Sequence, residues 1–125
     1  LDIALEEFFH EVQVNSGIDI QFRKNEPTFT LTSEAELSIF RGVQEAITNA
    51  MRHGQATRIT VLLMYNPSQL VVTIKDNGTG AVDLAPKGGL KSLQERLRAE
   101  GGSVTLEASN PGVTVQMILP NTEKQ

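Results

Sequence analysis

Cysteine and tryptophan are absent from these 125 residues, and the aromatic residues amount to five Phe and one Tyr. Without cysteine there is no disulfide framework, no thiolate metal site and no cysteine nucleophile, which fits a reducing compartment and points to the cytoplasm. No apolar run approaches the length of a membrane span, so direct membrane contact by this chain is not expected. Basic residues are scarce and scattered: 11 Lys and Arg stand against 15 Asp and Glu, for a formal charge of -4. Binding nucleic acid needs clustered cations to neutralise phosphates, so no nucleic-acid partner is expected. The start, Leu1-Asp2-Ile3-Ala4, has neither an initiator Met nor a signal-peptide pattern, and the chain reads as a domain excised from a longer protein. Internal repeats and low-complexity segments are also lacking. What is present is length for one domain, 1–125, with a real hydrophobic core.

Periodicity orders that domain. Leu5, Phe8, Phe9 and Val12 recur at helical spacing until Asn15-Ser16-Gly17 breaks the pattern. Ile18, Ile20 and Phe22 then alternate with polar residues, as in a half-buried strand. Ser33 with Glu36 forms a capping box for a long helix whose apolar face is Leu37, Phe40, Val43, Ile47 and Ala50, ended by Gly54. Ile59, Val61 and Leu63, then Leu70, Val72 and Ile74, flank the Asn66-Pro67-Ser68 turn as a hairpin. From Asp76 to Gly89 periodicity vanishes among Gly, Pro and small residues, and the stretch Ala81 to Lys87, with few apolar anchors, is expected to be mobile. Leu90, Leu93 and Leu97 mark another helix, and strands around Val104–Ala108 and Val113–Leu119 make a last hairpin. The expected fold is α+β: a two-layer α/β sandwich with a mixed, mostly antiparallel sheet covered by helices on one face.

Three short segments carry chemistry. On the long helix Glu45, Asn49, Arg52 and His53 share a face, because they stand four, three and one residues apart. Such a face can simply be solvated. It can also offer a carboxylate and a carboxamide oxygen to Mg²⁺, with cationic groups one turn further on for phosphate oxygens. Asp76-Asn77-Gly78 alone suits a tight hairpin turn. Here Thr79-Gly80 leads on into a long loop, and a carboxylate at a strand end beside Gly78 and Gly80 can accept a hydrogen bond from the adenine amine, where guanine presents an acceptor. Gly88-Gly89-Leu90 is either an ordinary helix start or a set of backbone N–H groups placed for an anion. The stretch between the glycine segments then acts as a short lid over ATP, with Lys87 in reach of phosphate.

In that order and spacing, Gln44-Glu45-Ala46-Ile47-Thr48-Asn49-Ala50-Met51-Arg52-His53, Asp76-Asn77-Gly78-Thr79-Gly80 and Gly88-Gly89-Leu90 resemble the N box and the two glycine boxes of a known family. The family is the catalytic, ATP-binding domain of sensor histidine kinases, in the superfamily of gyrase, the mismatch-repair ATPases and the large heat-shock chaperones. The likeness covers nearly the whole chain and is strongest to the nitrate-sensor and lipid-fluidity-sensor kinases. It implies that Asn49 and Glu45 hold Mg²⁺, that Arg52 and His53 approach phosphates, that Asp76 binds adenine, and that Gly78, Gly80, Gly89 and Leu90 shape the pocket. The implied reaction is transfer of the γ-phosphoryl group of Mg·ATP to a histidine on a separate dimerisation and phosphoacceptor domain. A response regulator follows downstream, and this part of a membrane-bound bacterial kinase lies in the cytoplasm. Relatives that hydrolyse ATP or phosphorylate serine on anti-sigma partners, and modules that bind ATP without turnover, remain as alternatives.

Two departures from the family pattern stand out. The superfamily has Gly-Thr before the last strand, whereas this chain has Gly112-Val113 and only then Thr114. His10-Glu11 resembles a phosphoacceptor pair superficially, but it lies on the first helix beside Phe8 and Phe9 and is read as a partly buried structural histidine.

Overall fold

The computed structural model describes residues 1–80 and 83–122. Along them run α1 (Asp2–Ser16), β1 (Asp19–Lys24), α2 (Ser33–Arg52), β2 (Arg58–Asn66), β3 (Gln69–Asp76), α3 (Gly88–Ala99), β4 (Ser103–Ala108) and β5 (Val113–Pro120). The strands form one sheet in the order β1-β2-β3-β5-β4. β1 and β2 are parallel and the remaining pairs antiparallel, as the sequence predicts for a mixed sheet. A parallel pair needs a crossover connection, and α2 is that crossover, so it must lie on a face of the sheet. The α+β sandwich expected from the pattern is the fold observed.

The core lies between that face and the helices. Inward residues alternate with outward ones, so the register lines up Leu63, Val72, Met117 and Val104 in one row across four strands. All four are buried, as are Ile39, Val43, Ile47, Leu93 and Leu97 from the helices above. Each such side chain contributes about 1.5–3 kcal/mol when fully removed from water. Gly42 sets how closely α3 can approach. A Cβ there would collide with the Leu93 side chain and stand 3.0 Å from Met117 Cε, so a side chain at this position would force both of these buried residues to shift. α3 runs antiparallel to α2: its first residues lie against Glu45, Leu93 against Gly42, and Arg96 beside Glu34 at 3.3 Å. α1 closes the β1 edge through rings, with Phe9 5.2 Å from Phe22 and Phe8 6.0 Å from Phe40. At its first turn Lys24 pairs with Asp2 and Glu6, and the Lys24 ammonium holds the Asp2 carboxyl below its ordinary pKa.

Three expectations are corrected. The N-cap of α2 is Thr32: its backbone is extended (φ -69°, ψ 159°) and its side chain accepts from Ala35 N at 3.1 Å. Ser33 is already helical and the cap bond comes from Thr32, so the Ser33/Glu36 capping box does not form. Leu37 is 49% exposed, because the packed side of α2 is centred about half a turn away, where Ile39 and Ala46 are buried in its place. Phe40 is only half-buried, against Phe8. His10 is exposed rather than partly buried, since it points away from the α1 face that carries Leu5 and Phe9. No helix among the described residues is long and apolar enough to cross a membrane.

Candidate nucleotide site between the end of β3 and helices α2 and α3

Asp76 is the last residue of β3, and its side chain continues the inward series Leu70, Val72, Ile74. A carboxylate is thereby carried to the rim of the core, where it is 9% exposed. Its Oδ1 accepts from Gly78 N at 2.8 Å and Val113 N at 3.3 Å. Every buried side-chain oxygen or nitrogen among the described residues has a partner, so the unpartnered Oδ2 must keep access to the outside. A carboxylate clamped by one oxygen and open at the other is a directed acceptor. Glycines make this closeness feasible. A Cβ on Gly112, which has φ of 89°, would collide with the Asp76 carbonyl and stand 2.6 Å from its Oδ1. A Cβ on Gly78 would collide with the Gly54 carbonyl oxygen. Gly80 also takes a positive φ, 87°, near Gly112.

Glu45 and Asn49 are both half-buried on α2, and neither side chain has a hydrogen-bond or ion-pair partner among the described residues. Their face is not open solvent. The Glu45 carboxyl group packs against the start of α3, with Oε1 3.3 Å from a Cβ built on Gly88 and Cγ 3.3 Å from one built on Gly89. Any side chain at Gly88 or Gly89 would push this carboxylate aside. At the same point the α3 backbone offers donors: Leu90 and Lys91 donate to Lys87 O at 3.1 and 3.3 Å, while the N–H groups of Gly88 and Gly89 have no partner among the described residues. Unpaired N–H groups at a helix start attract anions. The Glu45 carboxylate and these backbone donors are therefore adjacent. Among the described residues no three His, Cys, Asp or Glu form a metal cluster. Two free oxygens with an anion site beside them suit Mg²⁺, which keeps waters and takes its remaining ligands from phosphates.

The other expected residues are placed less tightly. Arg52 and the helix cap His53 lie one turn beyond Asn49, exposed and unpaired among the described residues. Lys87 pairs with Asp83 at 2.9 Å, and Asp83 also accepts from Ala85 N. The Ala85 N–H and then Lys87 hold the Asp83 carboxyl below its ordinary pKa. An exposed pair of this kind is weak, so little energy holds Lys87 to Asp83. Leu90 is 2% exposed and belongs to the core, shaping the site through its backbone. Of the expected lid, Ala81 and Val82 lie outside the described residues. Thr114 pairs with Lys75 and so faces the uncovered side of the sheet; beside Asp76 stands Val113, through its backbone N–H. Gly54, Gly112 and Val113 are residues whose part in this site the sequence did not announce, because only the β3–β5 register and the α2–β2 corner bring them to Asp76. A cavity of about 250 Å³ lined by Lys24, Phe29, Glu36, Leu63 and Tyr65 lies at the opposite end of the sheet and shares none of these residues.

Fold and site are those of an ATP-binding α+β domain. Residues 34–123 match the model of the histidine kinase-, DNA gyrase B- and HSP90-like ATPase family, and the chain belongs to that family. It is 30% identical to the oxygen sensor histidine kinase NreB of Staphylococcus carnosus over 98% of its own length and 37% of that protein, so it spans a little over a third of this relative. The ATP-binding domain of PrrB from Mycobacterium tuberculosis superposes with a TM-score of 0.71 at 22% identity, over 90% of this chain and 87% of that one. The histidine kinase ThkA, solved in complex with the response regulator protein TrrA, superposes with a TM-score of 0.71 at 19% identity, over 100% of this chain and 42% of that one.

Proposed function

We propose that this chain is the catalytic domain, over residues 1–125, of a sensor histidine kinase that binds Mg·ATP and donates its γ-phosphoryl group to a histidine on a separate dimerisation and phosphoacceptor domain. The observation that carries the reading is the seating of Glu45, one turn from Asn49, against Gly88-Gly89. It sets the Glu45 carboxylate at the start of α3, where the Gly88 and Gly89 N–H groups have no partner among the described residues, while Asp76 presents one open carboxylate oxygen at the rim of the core. In the proposed roles Asp76 accepts from the adenine amine, Gly78 and Gly80 let the base approach the backbone, and Gly88 and Gly89 donate to phosphate. Glu45 and Asn49 hold Mg²⁺, which offsets phosphate charge when bound. Arg52, His53 and Lys87 lie along the triphosphate path.

Transfer itself asks little covalent chemistry of the protein. The incoming imidazole nitrogen bonds to the γ-phosphorus, the bond to the bridging oxygen breaks with its electron pair leaving on ADP, and the ring proton passes to solvent. Positioning and charge neutralisation supply the rate. The parent protein then hands the phosphoryl group to a response regulator, a partner of the kind that ThkA is solved with. The domain works in the cytoplasm below a membrane-bound sensor. Calorimetry with ATP, with and without Mg²⁺, tests the site: wild type binds ATP more tightly with the metal, and Asn49→Ala loses that difference. Equal binding with and without metal in wild type would overturn the assignment.

A further inference from the structure

The loop that follows Asp76 is tied to the corner between α2 and β2 by one side chain. Asn77 Oδ1 accepts from both Thr57 N and Arg58 N at 2.9 Å, and Nδ2 donates to Thr57 Oγ1 at 3.0 Å. The Asn77 main-chain N–H donates to Arg58 O at 3.2 Å, and two residues on Thr79 N donates to Gly54 O at 2.6 Å. Residues 77–79 are thereby stitched to 54–58, the stretch that leaves the C-terminal end of α2. That same helix end carries Glu45, Asn49 and Arg52.

We propose that Asn77 is a positioning residue that sets the separation between the Asp76 carboxylate and the oxygen ligands of α2. The inference rests on the nucleotide reading above. Adenine and triphosphate are parts of one molecule of limited reach, so the two ends of the site must be held in one register for both to be engaged. Main-chain bonds from Asn77 N and Thr79 N hold the turn after Asp76 at two points. The Asn77 carboxamide adds three more, as an acceptor for two successive N–H groups and a donor for the hydroxyl beside them, a combination that apolar side chains of the same size lack and that fixes the turn more tightly than the main chain alone. All of these groups are exposed, so water can satisfy Thr57 and Arg58 when the carboxamide is removed. The effect therefore falls on the site's geometry more than on the fold.

Three proteins test this: wild type, Asn77→Leu, which keeps the volume without the hydrogen bonds, and Asn77→Asp, whose carboxylate accepts from both N–H groups and from the Thr57 hydroxyl. Mg·ATP and Mg·GTP affinities and thermal unfolding are measured for each at physiological salt, which screens the added charge. Wild type prefers ATP. Asn77→Leu lowers the ratio of ATP to GTP affinity by about tenfold or more with little change in unfolding temperature, and Asn77→Asp restores most of the ratio. A wild-type protein without ATP preference would overturn the nucleotide reading itself. A wild-type preference that survives unchanged in Asn77→Leu, or a Leu variant that only unfolds earlier while keeping the ratio, would overturn the positioning role alone.

Discussion

At Asp76 the two oxygens of one carboxylate are unequal. Oδ1 accepts from the Gly78 and Val113 N–H groups, while Oδ2 has no partner among the described residues and in the proposed reading accepts from adenine. This division makes the outcome of Asp76→Asn asymmetric. The amide oxygen can take over the two backbone bonds, so the loop keeps its shape, but the amide nitrogen then faces the adenine amine as donor against donor. ATP affinity should fall by about a hundredfold or more, while unfolding free energy changes by about 1 kcal/mol or less. Calorimetry with ATP paired with urea unfolding checks both halves. Unchanged ATP affinity in the variant would remove Asp76 from base recognition.

Among the elements, α2 has the most roles: crossover between parallel strands, roof of the core and carrier of Glu45 and Asn49, the proposed oxygen ligands. Its start decides its phase. Thr32 and Ser33 are both good capping residues, and extended backbone at 32 settles the choice. Thr32→Ala should cost about 1 kcal/mol of stability, and Ser33→Ala less than about 0.5 kcal/mol, in chemical denaturation. The reverse order would restore the capping box. Gly42 shows a different element-level constraint, since the α2–α3 separation that seats Gly88-Gly89 against Glu45 depends on the missing side chain three residues before Glu45. Packing and site geometry are coupled through this contact.

For the molecule as a whole, the proposed reaction needs a nucleophile from outside the site. His53 caps the very helix that carries Asn49, and in the proposed reading that fixed place beside the phosphates gives it no route to the in-line side of the γ-phosphorus. His10 is exposed on α1, on a different element from Glu45, Asp76 and Gly88. Incubated with labelled Mg·ATP, the chain alone should gain no acid-labile phosphate, and it should label the dimerisation domain of its own parent when that domain is added. His10→Ala should transfer at close to the wild-type rate. Acid-labile label on the isolated chain that disappears in His10→Ala would place the acceptor inside this domain instead.

The alternation and helical spacing of the sequence were enough to determine all eight elements, their order and the α+β class, because period 2 and period 3.6 are local properties of the chain. The three segments that build the site were legible for a similar reason: each is contiguous, and its residue types state what they can donate or accept. Other features depended on partners distant in sequence. Whether α2 buries Leu37 or Ile39 was decided by where the sheet, α1 and α3 press on it, and its cap by the backbone path from β1. That Asp76 meets Val113 and Gly112, with Thr114 turned to the far face, follows from the β3–β5 register, in which a shift of one residue reverses every side chain. The seating of Glu45 on Gly88-Gly89 and the clasp of Asn77 on Thr57 and Arg58 join segments 19 residues or more apart. Such contacts exist only once the layers have packed, and so the tertiary structure alone decided them.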